Sequence, residues 1–248
     1  MRLHFEGGHV EEGDLLVGAD GLNSVARRLI VGRDPIRYSG QTCFRGVAKT
    51  RPPEPGVIRE VQGRGQRGSV CPVDQETVYW WVAHNAPKDA MLAQEARKAF
   101  LLERYRAWPF GLAEAIASTP DGAILQNDLV DRSPTGIYAQ GRVVLTGDAA
   151  HPTTPNLGQG ANMAVDDAIA LARALRDETA ISAALGRYQQ ERLPRTRLIV
   201  QRSWSFGRMC TWDSALGVWF REAVVRLTPD RVMRDMLRWQ ILESVGRL

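Results

Sequence analysis

No run of apolar residues in this sequence approaches the roughly 18–20 that a membrane-spanning helix needs. The opening stretch, MRLHFEGGHVEEGD, contains no apolar segment of the kind a secretory signal uses, so the expected compartment is cytoplasmic. Cysteine is scarce: Cys43, Cys71 and Cys210 lie far apart and form no CxxC pair. That excludes a disulfide framework and a cysteine zinc site, and leaves reduced thiols buried as small apolar groups. The four histidines, His4, His9, His84 and His151, show no ligand spacing such as HExxH. No metal is expected. Internal repeats and low-complexity segments are absent too, which excludes solenoid and linker architectures.

What remains is ordinary in bulk. With 248 residues, 44% hydrophobic and 24% charged, the chain can bury one large core or two modest ones. The formal charge of +4 is unevenly placed: Arg187 to Leu248 carries +6 and the rest −2. In that C-terminal part arginines alternate with acids and apolar residues (RLTPDRVMRDMLRW). No recognition-helix or stacking-aromatic pattern accompanies them, so the expectation is a solvated helix face and no nucleic-acid partner.

Along the chain, Leu3 and Phe5 alternate with polar residues before a Gly7-Gly8 turn, and DLLVGADG follows as a buried strand. Ser24 is placed to cap a short helix ending at Gly32. Four short segments rich in Val, Thr and aromatics (TCFRGVAKT, VIREVQ, GSVCPV, TVYWWVAHN) predict antiparallel sheet within 41–85. A helix is expected over about 87–108, a shorter one over 110–118, then strands near 123–129 and 142–146. A Pro/Gly loop over 151–160 leads into a helix over 161–176, whose inward stripe would be Ala161, Val165, Ala168, Ala172 and Leu175. The rest is helical, with Pro194 expected to kink or end one helix and Thr228-Pro229 to start another. The fold class is therefore α/β in a mixed α+β layout: one sheet split by an insertion. Expected boundaries are 1–40, 41–130 (an antiparallel-sheet domain), 131–180 and 181–248 (helical).

The chemistry concentrates in GRVVLTGDAAHPTTPNLGQGANM, residues 141–163. Gly147-Asp148 closes a short apolar strand, and a carboxylate at the C-terminal end of such a strand sits where ligands collect and can accept from two sugar hydroxyls. Gly158-Gln159-Gly160 then opens a helix, whose unpaired N–H groups and partial positive charge suit a ligand atom that becomes negative. The bland alternative is a strand–loop–helix crossover with a capping Asp.

The longer string GDAAHPTTPNLGQGANMAVDDAIALA resembles the second FAD-binding motif of the class A flavoprotein monooxygenases, the aromatic-hydroxylase family, in the wording of the zeaxanthin epoxidase, salicylate hydroxylase and urate hydroxylase branch. DLLVGADGLNSVARRLI resembles the same family's DG motif, shared by its FAD and NAD(P)H sites. The resemblance covers essentially the whole chain. It implies a partial Rossmann-like FAD-binding domain, an inserted substrate domain and a C-terminal helical region. FAD is the implied cofactor, NADH or NADPH the co-substrate, and O2 and a small molecule the partners. It implies that Gly147 and Asp148 meet the ribityl or ribose hydroxyls, and that Gly160, Ala161 and Asn162 present amides to the isoalloxazine. Pro155 would lie at the flavin–substrate boundary, Asp20 near the pyrophosphate, and Arg27 at the end of the DG motif. Arg45, in CFRG, is a candidate for the substrate cavity, with a plain surface or core-edge arginine as the alternative. Trp80, Trp81 and Tyr79 would form a wall over the flavin or, equally, plain core.

Members of that family open with a βαβ unit carrying GxGxxG. This chain begins in the hairpin before the DG motif, so by the resemblance roughly the first hundred or more residues of a full-length member are expected to be missing, and FAD binding by the chain alone to be poor. Gly63-Arg-Gly65-Gln-Arg-Gly68 fits GxGxxG, but SVCPVD follows it rather than a helix, so a hairpin turn is expected there. Beside an NAD(P)H- and O2-dependent monooxygenase stand two other readings: an inactive remnant or fragment that needs a partner, and a flavin enzyme that transfers no oxygen.

Overall fold

The computed structural model describes residues 1–232, 234, 235 and 238. The elements run β1 (Arg2–His4), β2 (Val10–Glu12), β3 (Leu16–Gly18), α1 (Val25–Ile30), β4 (Ile36–Lys49), β5 (Arg59–Gly63), β6 (Gln66–Pro72) and β7 (Thr77–Asn85). They continue with α2 (Gln94–Tyr105), α3 (Leu112–Ser118), β8 (Leu125–Arg132), β9 (Ala139–Gln140), β10 (Val143–Leu145), α4 (Gly160–Asp177), α5 (Ile181–Cys210) and α6 (Ala215–Leu227). Two compact units result. One comprises Met1–Arg37, Val130–Phe206 and the described residues from Thr228 on; the other comprises Tyr38–Leu129 and Gly207–Leu227.

In the first unit β3 and β10 pair in parallel, Leu16 to Gly18 against Val143 to Leu145, and β9 adds an antiparallel edge. Short strands suffice because helices cover them: Ala26, Val144, Leu145, Ala170, Leu171, Ala174, Leu185 and Tyr188 form one buried cluster. Gly18 makes the closest approach possible, since a Cβ there would sit 2.4 Å from the Ala26 Cβ. The stripe of α4 that faces inward is Met163, Asp167, Ala170, Leu171 and Ala174. The expected stripe, Ala161, Val165, Ala168, Ala172 and Leu175, is exposed instead. A charged residue on the core face disguised the correct period: Asp167 is fully buried. Pro194 does not end a helix either, because α5 runs through it for 30 residues.

In the second unit five antiparallel strands take the order β5-β6-β7-β4-β8. Alternation assigns the faces. Phe44, Ala48, Val70, Val78, Trp80 and Val82 bury one face against Leu101 and Tyr105 of α2 and Leu112, Ala115 and Ile116 of α3. Trp80 is therefore core, its indole N–H donating to the Thr119 hydroxyl at 2.8 Å. Tyr79 and Trp81 alternate with it onto the opposite face, half-buried, where Arg45 stands directly across from Trp81. The GxGxxG stretch is the β5–β6 hairpin, Gly63 pairing with Gln66 around a two-residue turn. The helix expected over 87–108 starts only at Gln94, and the strand expected over 123–129 is displaced to Leu125–Arg132. No described helix is long and apolar enough to cross a membrane. Of the helix expected after Thr228-Pro229, most residues lie outside those described.

Candidate cofactor site

All the groups below belong to the first unit except Arg45. The Asp20 carboxylate closes the turn into α1. Its Oδ1 accepts from the Ser24 hydroxyl at 2.5 Å, and its Oδ2 accepts from the amides of Val25 at 2.7 Å and Ala26 at 3.2 Å. Ser24 Oγ in turn accepts from the Arg27 amide at 2.7 Å. Two side chains thus satisfy three of the helix's first amides. Partial burial pushes the Asp20 pKa up, but the Ser24, Ala26 and Val25 hydrogen bonds outweigh it and hold the carboxyl below its ordinary value.

Arg27 is buried to 1% exposure, and its guanidinium is fully committed. Nε and one terminal nitrogen hold Asp34 Oδ2 at 3.0 and 2.8 Å. The other terminal nitrogen donates to the carbonyls of Ala149 at 2.9 Å and Ala150 at 2.6 Å. Arg132 closes on the other side of Asp34 and also donates to the Leu22 carbonyl. The DG segment is thereby bolted to the loop that follows Asp148.

That loop begins at Gly147, whose φ of +57° is a left-handed conformation glycine adopts without steric cost. A Cβ there would lie 3.2 Å from the Ala164 Cβ, so the turn presses on α4. Asp148 follows, exposed and without a hydrogen-bond or ion-pair partner among the described residues. Further on, Thr154 and Asn156 tie the 3-10 turn Pro155–Leu157 to α5: the two hydroxyls of Thr154 and Ser203 meet at 2.9 Å, and Asn156 Nδ2 donates to the Ser203 carbonyl at 2.9 Å. Pro155 itself is exposed at the head of that turn.

At the start of α4 the amides of Gly160, Ala161 and Asn162 have no carbonyl one turn back to bond, and no side chain caps them. Ala161 and Asn162 are exposed. Beside them the Gln159 Oε1 is buried without a hydrogen-bond partner among the described residues. Free donors next to an unused acceptor suit the edge of an isoalloxazine ring, where carbonyl oxygens and ring nitrogens alternate acceptor and donor. A free carboxylate at a strand end suits sugar hydroxyls. The residues present therefore fit a flavin.

Three participants escaped the sequence reading. Asp167 Oδ2 accepts from the Gly147 amide at 2.8 Å and meets His151 Nε2 at 2.6 Å, while Oδ1 accepts from Arg192 Nε at 2.7 Å. An acid four residues after Met163 and four before Leu171, hence on one helix face with both, was the available signal. In the second unit, Arg45 is half-buried on the sheet face opposite Trp80 and has no hydrogen-bond or ion-pair partner among the described residues. Among those residues no group of three or more His, Cys, Asp or Glu could hold a metal ion.

The profile of the family described as "FAD binding domain" matches residues 10–203. The chain is 42% identical to aurachin C monooxygenase/isomerase of Stigmatella aurantiaca over 226 residues, covering 89% of this chain and 58% of that protein. It is 34% identical to 2-heptyl-3-hydroxy-4(1H)-quinolone synthase of Pseudomonas aeruginosa over 257 residues, covering 100% of this chain and 65% of that protein. Among solved structures it superposes on Klebsiella pneumoniae HpxO complexed with FAD and uric acid with a TM-score of 0.91 at 25% identity, covering 97% of this chain and 63% of that one. The chain thus spans less than two thirds of the length of each.

Proposed function

Since the chain belongs to the class A FAD-dependent monooxygenase family, we propose that it carries the ribityl and isoalloxazine part of an FAD site. The complete enzyme hydroxylates or epoxidises a small aromatic or isoprenoid substrate with NADH or NADPH and O2. One observation carries the reading. Asp20, Asp34 and Asp167 are all engaged by the protein, while Asp148, at the strand end, is exposed and has no hydrogen-bond or ion-pair partner among the described residues.

In this reading Asp148 accepts from ribityl or ribose hydroxyls, and Gly147 gives the turn its shape. The amides of Gly160, Ala161 and Asn162 face the ring edge that becomes negative on reduction, where the helix dipole favours that charge. Pro155 borders the substrate, held in place by the Thr154–Ser203–Asn156 contacts. Asp20 and Arg27 serve the cofactor indirectly, one by closing the turn into α1 and the other by gripping the Asp148 loop. Bound FAD would supply hydride acceptance and oxygen activation; the protein orients substrate and excludes water. We assign substrate contact in the second unit to the sheet face opposite Trp80, at the half-buried Arg45, Tyr79 and Trp81. Half-buried aromatic rings and a guanidinium with no hydrogen-bond or ion-pair partner among the described residues suit a planar, electron-rich molecule.

Supplying FAD, NADH or NADPH and isotopically labelled O2 to the enzyme with a panel of phenols, quinolones and isoprenoids tests the reaction class. The label is expected in the product. Nicotinamide oxidation with no labelled product would reject oxygen transfer and favour a flavin reductase.

A further inference from the structure

We propose that Asp167 is a positioning residue for the flavin: it locks the turn carrying Asp148 onto the helix whose first turn faces the ring, so that one buried carboxylate sets the spacing of both contacts. The inference rests on the flavin-site reading above and goes beyond it in naming what holds the two halves together.

Three donors from three separate places converge on this carboxylate: the Gly147 amide from the turn, His151 from the loop that follows, and Arg192 from α5. The same Arg192 donates to the Met163 carbonyl at 3.2 Å, in the first turn of α4, so its guanidinium braces the helix start as well. Asp167 is fully buried, on the face of α4 that also buries Met163, Ala170, Leu171 and Ala174, where an apolar residue would pack with no charge to desolvate. A carboxylate in that place needs all its donors, and all three are present. Burial alone would push its pKa up; the His151 and Arg192 bonds outweigh it and hold the group below the ordinary carboxylate value, hence ionised. Gly147 bends toward α4 with left-handed φ, so its amide aims at Asp167 while the next residue, Asp148, is exposed. Asp167 lies seven residues after Gly160, about 10 Å along the helix axis. A rigid α4 therefore transmits the position of the turn to its own N-terminal amides.

The test has one readout free of cofactor and one with it. In the chain without flavin, Asp167→Asn is expected to raise hydrogen exchange at residues 147–150 at least tenfold while leaving the five-stranded sheet unchanged. A uniform rise everywhere would make Asp167 a stability residue only and overturn the proposal. With FAD as the probe, titrated far enough to saturate the weak binding expected of this chain, Asp148→Ala and Asp167→Asn are each expected to weaken binding roughly tenfold. Because Asp167 acts through Asp148, the second change should add less than about twofold when both are combined. Full additivity would overturn the proposal. An Asp148→Ala variant that binds FAD like the wild type would instead reject the flavin-site reading, and the exchange pattern would still judge whether Asp167 fixes the turn. Should Asp167→Asn fail to fold, His151→Gln replaces it. The same local exchange and non-additivity are expected in weaker form, and wild-type exchange at Gly147 refutes the role.

Discussion

Replacing Arg27 by leucine removes the connection between the DG segment and the Asp148 loop. Four hydrogen bonds disappear, two to Asp34 and one each to the carbonyls of Ala149 and Ala150. The Asp34 carboxylate keeps Arg132 and is partly exposed, so it adds little. The two carbonyls belong to buried residues, and each unsatisfied one costs about 1–3 kcal/mol. Leucine restores part of the packing of the arginine stem, so the net loss is about 3 kcal/mol, a large share of the 5–15 kcal/mol typical of a domain. Lysine keeps the charge but not the fork that reaches both partners, and should lose roughly half as much. Urea unfolding followed by circular dichroism measures both variants. A loss below about 1 kcal/mol for leucine would show that the loop does not depend on this arginine, and the clamp argument would fail.

His84 is buried between Phe44 and Phe100 and bonded to the Tyr105 hydroxyl at 3.0 Å. Burial, aided by the nearby Arg104 charge, lowers its pKa from 6.5 to about 4. The folded state therefore disfavours the proton that the unfolded chain accepts. The contribution is complete above pH 6.5 and is lost as pH falls toward 4, up to about 3 kcal/mol. Unfolding midpoints of the wild type and His84→Phe should converge across that window, and parallel pH curves would contradict the assignment. Gly18→Ala places a methyl 2.4 Å from the Ala26 Cβ and should cost about 1–3 kcal/mol by forcing α1 off its strand; a neutral thermal melt would show that the helix can retreat freely. Arg45→Ala, at a side chain with no hydrogen-bond or ion-pair partner among the described residues, should leave the melting temperature nearly unchanged and raise KM for substrate, whereas unchanged kinetics would remove Arg45 from the substrate face.

Local chemistry made much of this legible in advance. Ser24 announces the cap of α1, Gly65 the β5–β6 turn and Gly158–Gly160 the start of α4, because turns and caps depend on neighbouring residues. Side-chain roles that depend on distant partners were not legible. Arg27 bonds carbonyls 122 and 123 positions away, and nothing in ARRLI tells that its guanidinium turns inward. The face of α4 was misread for a related reason. Periodicity counts apolar residues, and Asp167 is buried by the donors it gathers from elsewhere rather than by its own hydropathy. Tyr79, Trp80 and Trp81 had two readings as a group; the pleat separates them, Trp80 into the main core and its half-buried neighbours onto the opposite face.

Fluorescence titration of FAD, carried to concentrations that saturate the weak binding expected of this chain, against the wild type and Asp148→Ala tests the central claim most directly. A charged acceptor on two sugar hydroxyls is worth about 1.5–3 kcal/mol, so the variant should bind at least roughly tenfold more weakly, with nearly unchanged thermal stability because Asp148 is exposed and has no hydrogen-bond or ion-pair partner among the described residues. Equal affinity for the two proteins would show that the Gly147-Asp148 turn is not where the flavin binds.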